Sequence, residues 1–212
     1  MSSQLSVTID AWPDGGPIPA RYAFGRPGDD GPFAFSDNVS PAIRWVNAPE
    51  GTRSFAIVCH DPDVPSSGED VNQAGRVVPA DLPRVDFFHW VLVDLPPSVR
   101  SLDEGAVSRG VTPRGKAPGP SARGVAGIND YTGWFVGNPD MDGSYGGYDG
   151  PAPPWNDSIV HHYHFTVYAL DVESLGLSGP FGGADALAAL EGHVLAKASY
   201  VGTYSLNPDV PT

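Results

Sequence analysis

Two carboxylates, Asp61 and Asp63, stand between prolines in the stretch CHDPDVPSSGED, directly after the apolar run SFAIV, where a chain ordinarily leaves a strand and turns into solvent. A residue before proline is pushed into extended geometry, and this happens twice, at Asp61 and at Val64, so the segment is stiffened. Alternation through the preceding strand places Asp61 on the face of Phe55, Ile57 and Cys59, pointing inward at the strand's end. Two readings stay open: an Asx-type turn whose carboxylates cap backbone N–H groups, or acids held rigid for a ligand.

A second segment, GYDGPAPPWNDSIVHHYHF, sets Pro151, Pro153 and Pro154 ahead of a strand carrying His161 and Tyr163. Prolines lack the N–H and fix φ, which suits a rigid apolar wall, while His and Tyr supply donors on one strand face. Here too the alternative is a proline-rich turn before an aromatic core strand. Strand alternation groups His161, Tyr163 and Phe165 on one side and His162, His164 and Thr166 on the other, so the run HHYH does not converge on a metal. His60, His162, His164 and His193 read as ordinary surface or core histidines.

Carboxylates, imidazoles and a phenol, if one pocket gathered them, could in principle support general acid–base or metal-assisted hydrolysis. The sequence has no G-x-S-x-G elbow, no H-E-x-x-H, no P-loop and no strand-linked G-x-G-x-x-G. We therefore expect a binding protein and assign no catalytic residue, cofactor or metal; a hydrolase and a regulator of a partner kinase or protease are the other readings. The segment NPDMDGSYGGYD, Asn138 to Asp149, matches a calcium-loop spacing, but Asn at position 1, Asp at position 12 and the lack of flanking helices make it an acidic glycine-rich turn.

These residues need a scaffold, and 212 residues at 41% hydrophobic content are enough for a single domain spanning 1–212. The 26 glycines and 23 prolines punctuate many turns between apolar runs, which favours a mainly β protein. Strands are expected at SVTIDA, AIRWV, SFAIVC, DFFHWVLVDL, YHFTVYAL and ASYVGTYS, and one helix over GADALAALEGHVLA with Leu187, Leu190 and Val194 on its stripe. The run Asp86–Asp94 is apolar on both faces, hence central: Phe87, His89, Val91 and Val93 on one, Phe88, Trp90 and Leu92 on the other. Long irregular stretches, Ser66–Val85 and Arg109–Trp155, separate these elements; loops of that length are commonly functional.

The net charge of −13, from 25 acidic against 12 basic residues, disfavours nucleic acid and anionic membranes, which gain roughly 1 kcal/mol per basic residue near the surface. No run approaches the ~20 apolar residues of a membrane span, and no leader pattern is visible, so a cytoplasmic protein without integral membrane association is expected. The single cysteine, Cys59, excludes an internal disulfide. The acceptor tripeptides NVS and NDS carry little weight without a secretory signal.

Taken in order, DPDVP, FFHWVLVDLP and GPAPP…HHYHFTVYAL resemble the phosphatidylethanolamine-binding protein family, also called the Raf kinase inhibitor protein family, in its bacterial and archaeal branch. The N-terminal FSDNVSPAIRWVNAPEGTRSFAIVCHDPDVP and the closing GHVLAKASYVGTYS extend the likeness over nearly the whole chain. The resemblance implies a large central antiparallel sheet packed on a smaller one with a C-terminal helix. It also implies a pocket for phosphate-type anions and phospholipid head groups, formed by Asp61, Asp63, His89, Pro153, Pro154, His161 and Tyr163. The acids would orient the imidazoles or meet the ligand's amine, and His89, His161 and Tyr163 would contact its oxygens. Homodimers are common in that branch, although no interface is identifiable here. Two departures stand out: His162 replaces the family's usual arginine, and Trp155 follows the prolines where a small residue is common.

Overall fold

A computed structural model describes residues 4–210 and residue 212. The chain runs β1 (Ser6–Thr8), β2 (Gly16–Pro17), β3 (Gly25–Arg26), β4 (Ala34–Phe35), β5 (Ile43–Val46), β6 (Ser54–Pro65), β7 (Arg84–Leu95), β8 (Ser101–Leu102), β9 (Gly119–Ser121) and β10 (Gly124–Ala126). A short helix α1 (Tyr131–Trp134) follows, then β11 (His161–Leu170), α2 (Gly183–Leu190) and β12 (Val194–Tyr204). The main sheet has seven strands in the order β2-β12-β11-β6-β7-β10-β9, and a smaller one has the order β1-β5-β8.

Apolar side chains on one face of the main sheet, among them Phe55, Ile57, Trp90, Leu92 and Phe165, meet Val7, Ile43 and Trp45 from the small sheet in one buried core. On the opposite face Ala56, Val58, Phe88, Val91 and Val93 pack beneath Ala186 and Leu190 of α2. Burial on both faces explains why β6 and β7 read as continuous apolar runs. Gly183 lets α2 approach closely, since a Cβ there would lie 2.1 Å from the Phe88 ring.

The structure departs from the expectations in four places. The main sheet is mixed, because β2 pairs in parallel with the end of β12. Strand β6 continues past Cys59 and pairs with β7 as far as Pro65, slipping register between Asp61 and Val64; at that slip Pro62 has no ladder bond to lose. The helix stops at Leu190 rather than reaching Val194, because Gly192 at φ 81 turns the chain out of the helix and into β12.

The fourth difference matters most for the site. Cys59 pairs with Trp90 and His60 with Phe88, so His89 is an extra residue on β7, a β-bulge. The bulge resets the alternation: Phe88 joins Val91 and Val93 on the helix side, whereas Trp90 and Leu92 face the main core. His89 is thereby aimed to the same side as Tyr163, with ring centroids 5.1 Å apart.

Candidate functional site

At the end of the sheet where β6, β7 and β11 meet, a cavity of about 360 Å³ is lined by Asp61, His89, Tyr163, Pro153 and Pro154 together with a set of aromatic rings. Three distant pieces of chain thus supply its floor. Asp63 and His161, grouped with these residues on sequence grounds, do not line it; they stand behind and beside the floor.

The DPDVP segment forms the Asx-type cap, and of its two acids Asp61 alone reaches the cavity. Asp61 is 1% exposed. Its Oδ1 accepts the Asp63 backbone N–H at 2.8 Å, an Asx-type cap, and its Oδ2 accepts from His161 Nδ1 at 2.7 Å. Asp63 turns to the neighbouring strand instead, where Oδ2 accepts the His162 backbone N–H at 2.9 Å and its Nδ1 at 2.8 Å. His162 therefore anchors Asp63.

Fully buried His161 also reaches Asp157 Oδ2 through Nε2 at 3.1 Å. Carboxylates only accept, so both ring nitrogens must carry protons and the ring is an imidazolium. Burial pushes its pKa down, but the bonds to Asp157 and Asp61 outweigh that and raise it to about 9. Burial likewise pushes both carboxylates up, and the same imidazolium holds them below the usual range. Arg84 completes the row, bonding Asp157 through Nη1 at 2.6 Å and Nη2 at 3.1 Å. Charges thus alternate Asp61, His161, Asp157, Arg84, with no net excess. Both His161 nitrogens are committed to carboxylates, which leaves none for the ligand contact expected of it.

His89 differs in every respect. Its Nδ1 donates to the Asp149 carbonyl at 2.9 Å, and desolvation lowers its pKa despite the nearby Asp61. The neutral ring then presents Nε2 as a bare acceptor. Loops clamp the bulge: the Asp149 N–H donates to the His89 carbonyl at 3.0 Å, and Asp130 exchanges N–H and Oδ2 bonds with the Phe88 backbone at 2.9 and 2.7 Å. Asp149 itself is fully buried and collects Asn38 at 2.7 Å, Lys116 at 2.5 Å and Asn129 at 2.9 Å. The acid at the last position of the calcium-like spacing is thus committed to the interior, while Asn138 caps the N–H groups of Asp140 and Met141. Among the described residues no three or more His, Cys, Asp or Glu side chains converge as a metal set.

Tyr163 completes the floor. Its hydroxyl is buried and no group meets it at full hydrogen-bond geometry, although the Asp61 carboxylate lies near enough to draw on its proton. Burial raises its pKa well above 10, and the Asp61 charge pushes it further, so it remains a neutral O–H. Pro153 and Pro154 are buried in the wall. Among the described residues, no Lys or Arg lines the cavity.

Sequence comparison bears directly on this arrangement. The profile of the phosphatidylethanolamine-binding protein family matches residues 8–205. This chain belongs to that family. It is 31% identical over 200 residues to a UPF0098 protein of Methanothermobacter thermautotrophicus, covering 94% of this chain and 98% of that protein. It is 32% identical over 192 residues to the UPF0098 protein YbhB of Escherichia coli, covering 91% and 94%. Among solved structures, E. coli YbcL, described as a member of the mammalian PEBP family, superposes with a TM-score of 0.67 at 26% identity, covering 96% of this chain and 99% of YbcL. A phosphatidylethanolamine-binding protein homolog of Chlamydia trachomatis gives 0.62 at 26% identity over the same shares. As a phosphatidylethanolamine-binding-type chain, it carries the family's mainly β fold with a helix near the C-terminus. Among the described residues, no helix is long and apolar enough to cross a membrane. The glycosylation-type asparagines are both buried, Asn38 at 0% and Asn156 at 6% exposure.

Arg84 and Asp157 carry no role in the sequence reading, and Asp149 enters it only as the last position of the calcium-like spacing. Only Asp157 offered a signal, lying four residues before His161 and just after the proline wall.

Proposed function

We propose that this chain is a small-ligand binding protein whose cavity takes a phosphate-type anion or phospholipid head group. One observation carries the reading: the buried Tyr163 hydroxyl lacks a partner beside the uncommitted Nε2 of His89. Buried polar groups are nearly always hydrogen-bonded, and an orphan costs about 1–3 kcal/mol, so a vacant donor at a cavity floor calls for an acceptor from outside.

A ligand oxygen between these two groups would accept from Tyr163 Oη and, once His89 is protonated, from Nε2. Asp61 would not repel such an anion as a free carboxylate would, because His161 already balances it. His161, Asp157 and Arg84 hold Asp61 in place, while Asp63 and His162 fix the start of β11. An amine on the ligand would find Asp61 the nearest acid.

Titration calorimetry with phosphate and with phosphoethanolamine, paired with imidazole NMR, tests the reading. Binding heat and a saturable shift of the His89 resonances, both abolished in His89→Ala, are expected. Absence of heat together with unmoved His89 resonances would discard it.

A further inference from the structure

Above the polar floor, the cavity is walled by aromatic side chains that the sequence reading left without a role. Phe33 and Phe35 come from the β3–β4 hairpin, Trp134 from α1, and Trp155 directly follows the proline wall. Phe33, Phe35 and Trp134 remain 40, 49 and 53% exposed. Clustered exposed aromatics around one opening mark a binding surface more than chance does.

We propose that the ligand carries a flat aromatic group, and that this mouth holds it while the anionic end occupies the floor. The inference rests on the head-group reading of the floor and adds the class of substituent. Size supports it: about 360 Å³ falls within the roughly 300–1,000 Å³ of clefts that take whole organic ligands, so a bare oxyanion leaves most of the space unfilled. Ring geometry favours an aryl group over an organic cation. Phe33 meets Phe35, and Phe24 meets Phe35, edge to face at 5.5 Å, while Phe24 and Tyr131 stack at 4.3 Å. Phe24, Phe33, Phe35 and Tyr131, packed on one another in this way, offer edges and slots to a further ring. Among the described residues, the one acid of the lining, Asp61, lies at the floor and is bonded to His161.

The test is titration calorimetry of the full chain with inorganic phosphate, phenyl phosphate and phosphocholine, repeated on Trp134→Ser and Phe35→Ser, both exposed positions. Phenyl phosphate should bind at least about tenfold tighter than phosphate, ~1.4 kcal/mol, and either variant should shrink that gap to about threefold or less with phosphate affinity kept. Should phosphate bind and phenyl phosphate bind no tighter, the aromatic mouth is refuted while the floor stands. A preference for phosphocholine over phenyl phosphate refutes it in favour of a cation. If none of the three binds, the head-group reading falls with it.

Discussion

The imidazole of His161 donates to Asp61 across 2.7 Å, tying the first residue of β11 to the bulged end of β6 inside the core. With Asp157 on its other nitrogen, the ring bridges two buried acids, of which Asp157 also meets Arg84. Replacing it with an uncharged side chain leaves those acids facing each other. His161→Gln should therefore cost about 3–5 kcal/mol at pH 6, measured by urea unfolding.

The same contact sets a pH window. The folded pKa of about 9 lies above the ordinary imidazole value of 6.5, so the folded state binds this proton more tightly. Its stabilisation is fully present below 6.5 and is lost as pH rises through about 9. Asp61 and Asp157, both lowered, act oppositely: their stabilisation is present above 3.8 and is lost as pH falls through their folded values. The wild type should lose more stability than His161→Gln between pH 6.5 and 9; parallel curves would show that the ring is not charged.

Tyr163→Phe separates stability from function. Removing a buried hydroxyl that has no partner relieves a cost of about 1–3 kcal/mol, so the variant should unfold at equal or higher temperature than the wild type. Phosphate binding should weaken at least about tenfold, by the loss of one hydrogen bond to a charged oxygen. A variant that binds phosphate as well as the wild type would remove Tyr163 from the site.

Anion binding should draw in a proton. His89 is held neutral by desolvation, and its Nδ1 proton is committed to the Asp149 carbonyl, so Nε2 can donate to an anion only after protonation. Sulfate, which carries no proton near neutrality, isolates the effect. Calorimetry in buffers of different ionisation enthalpy should report uptake approaching one proton, and affinity should fall as pH rises. Equal heats in all buffers would contradict this.

How far the site could be read from the sequence depends on whether its geometry follows a regular period. Asp61, His161 and Tyr163 sit on uninterrupted alternating strands, so period two places them inward correctly. His89 is itself the inserted residue, and a bulge is invisible to alternation; the same insertion sends Phe88 and Trp90 to faces opposite from one another. Asp149 and Asp157 lie in loops without a period, and Arg84, at the start of β7, meets Asp157 73 residues away. The mouth was hidden for the same reason, because Trp134 lies in an irregular stretch that folds into a four-residue helix.

Asp149 offers a check on that loop support. Asp149→Asn places an amide donor against Lys116, Asn38 and Asn129, and should cost about 3–5 kcal/mol while loosening the loop that clamps His89. Broadened His89 resonances together with a lower Tm are expected, and unchanged values of both would show that the hub does not position the imidazole.

The most direct measurement is a crystal structure of the chain soaked in phosphate. The account predicts a tetrahedral anion with one oxygen within about 2.6–3.2 Å of both Tyr163 Oη and His89 Nε2, and with Asp61 still bonded to His161. A cavity floor holding only water at saturating phosphate, or an anion bound to other residues, would contradict it.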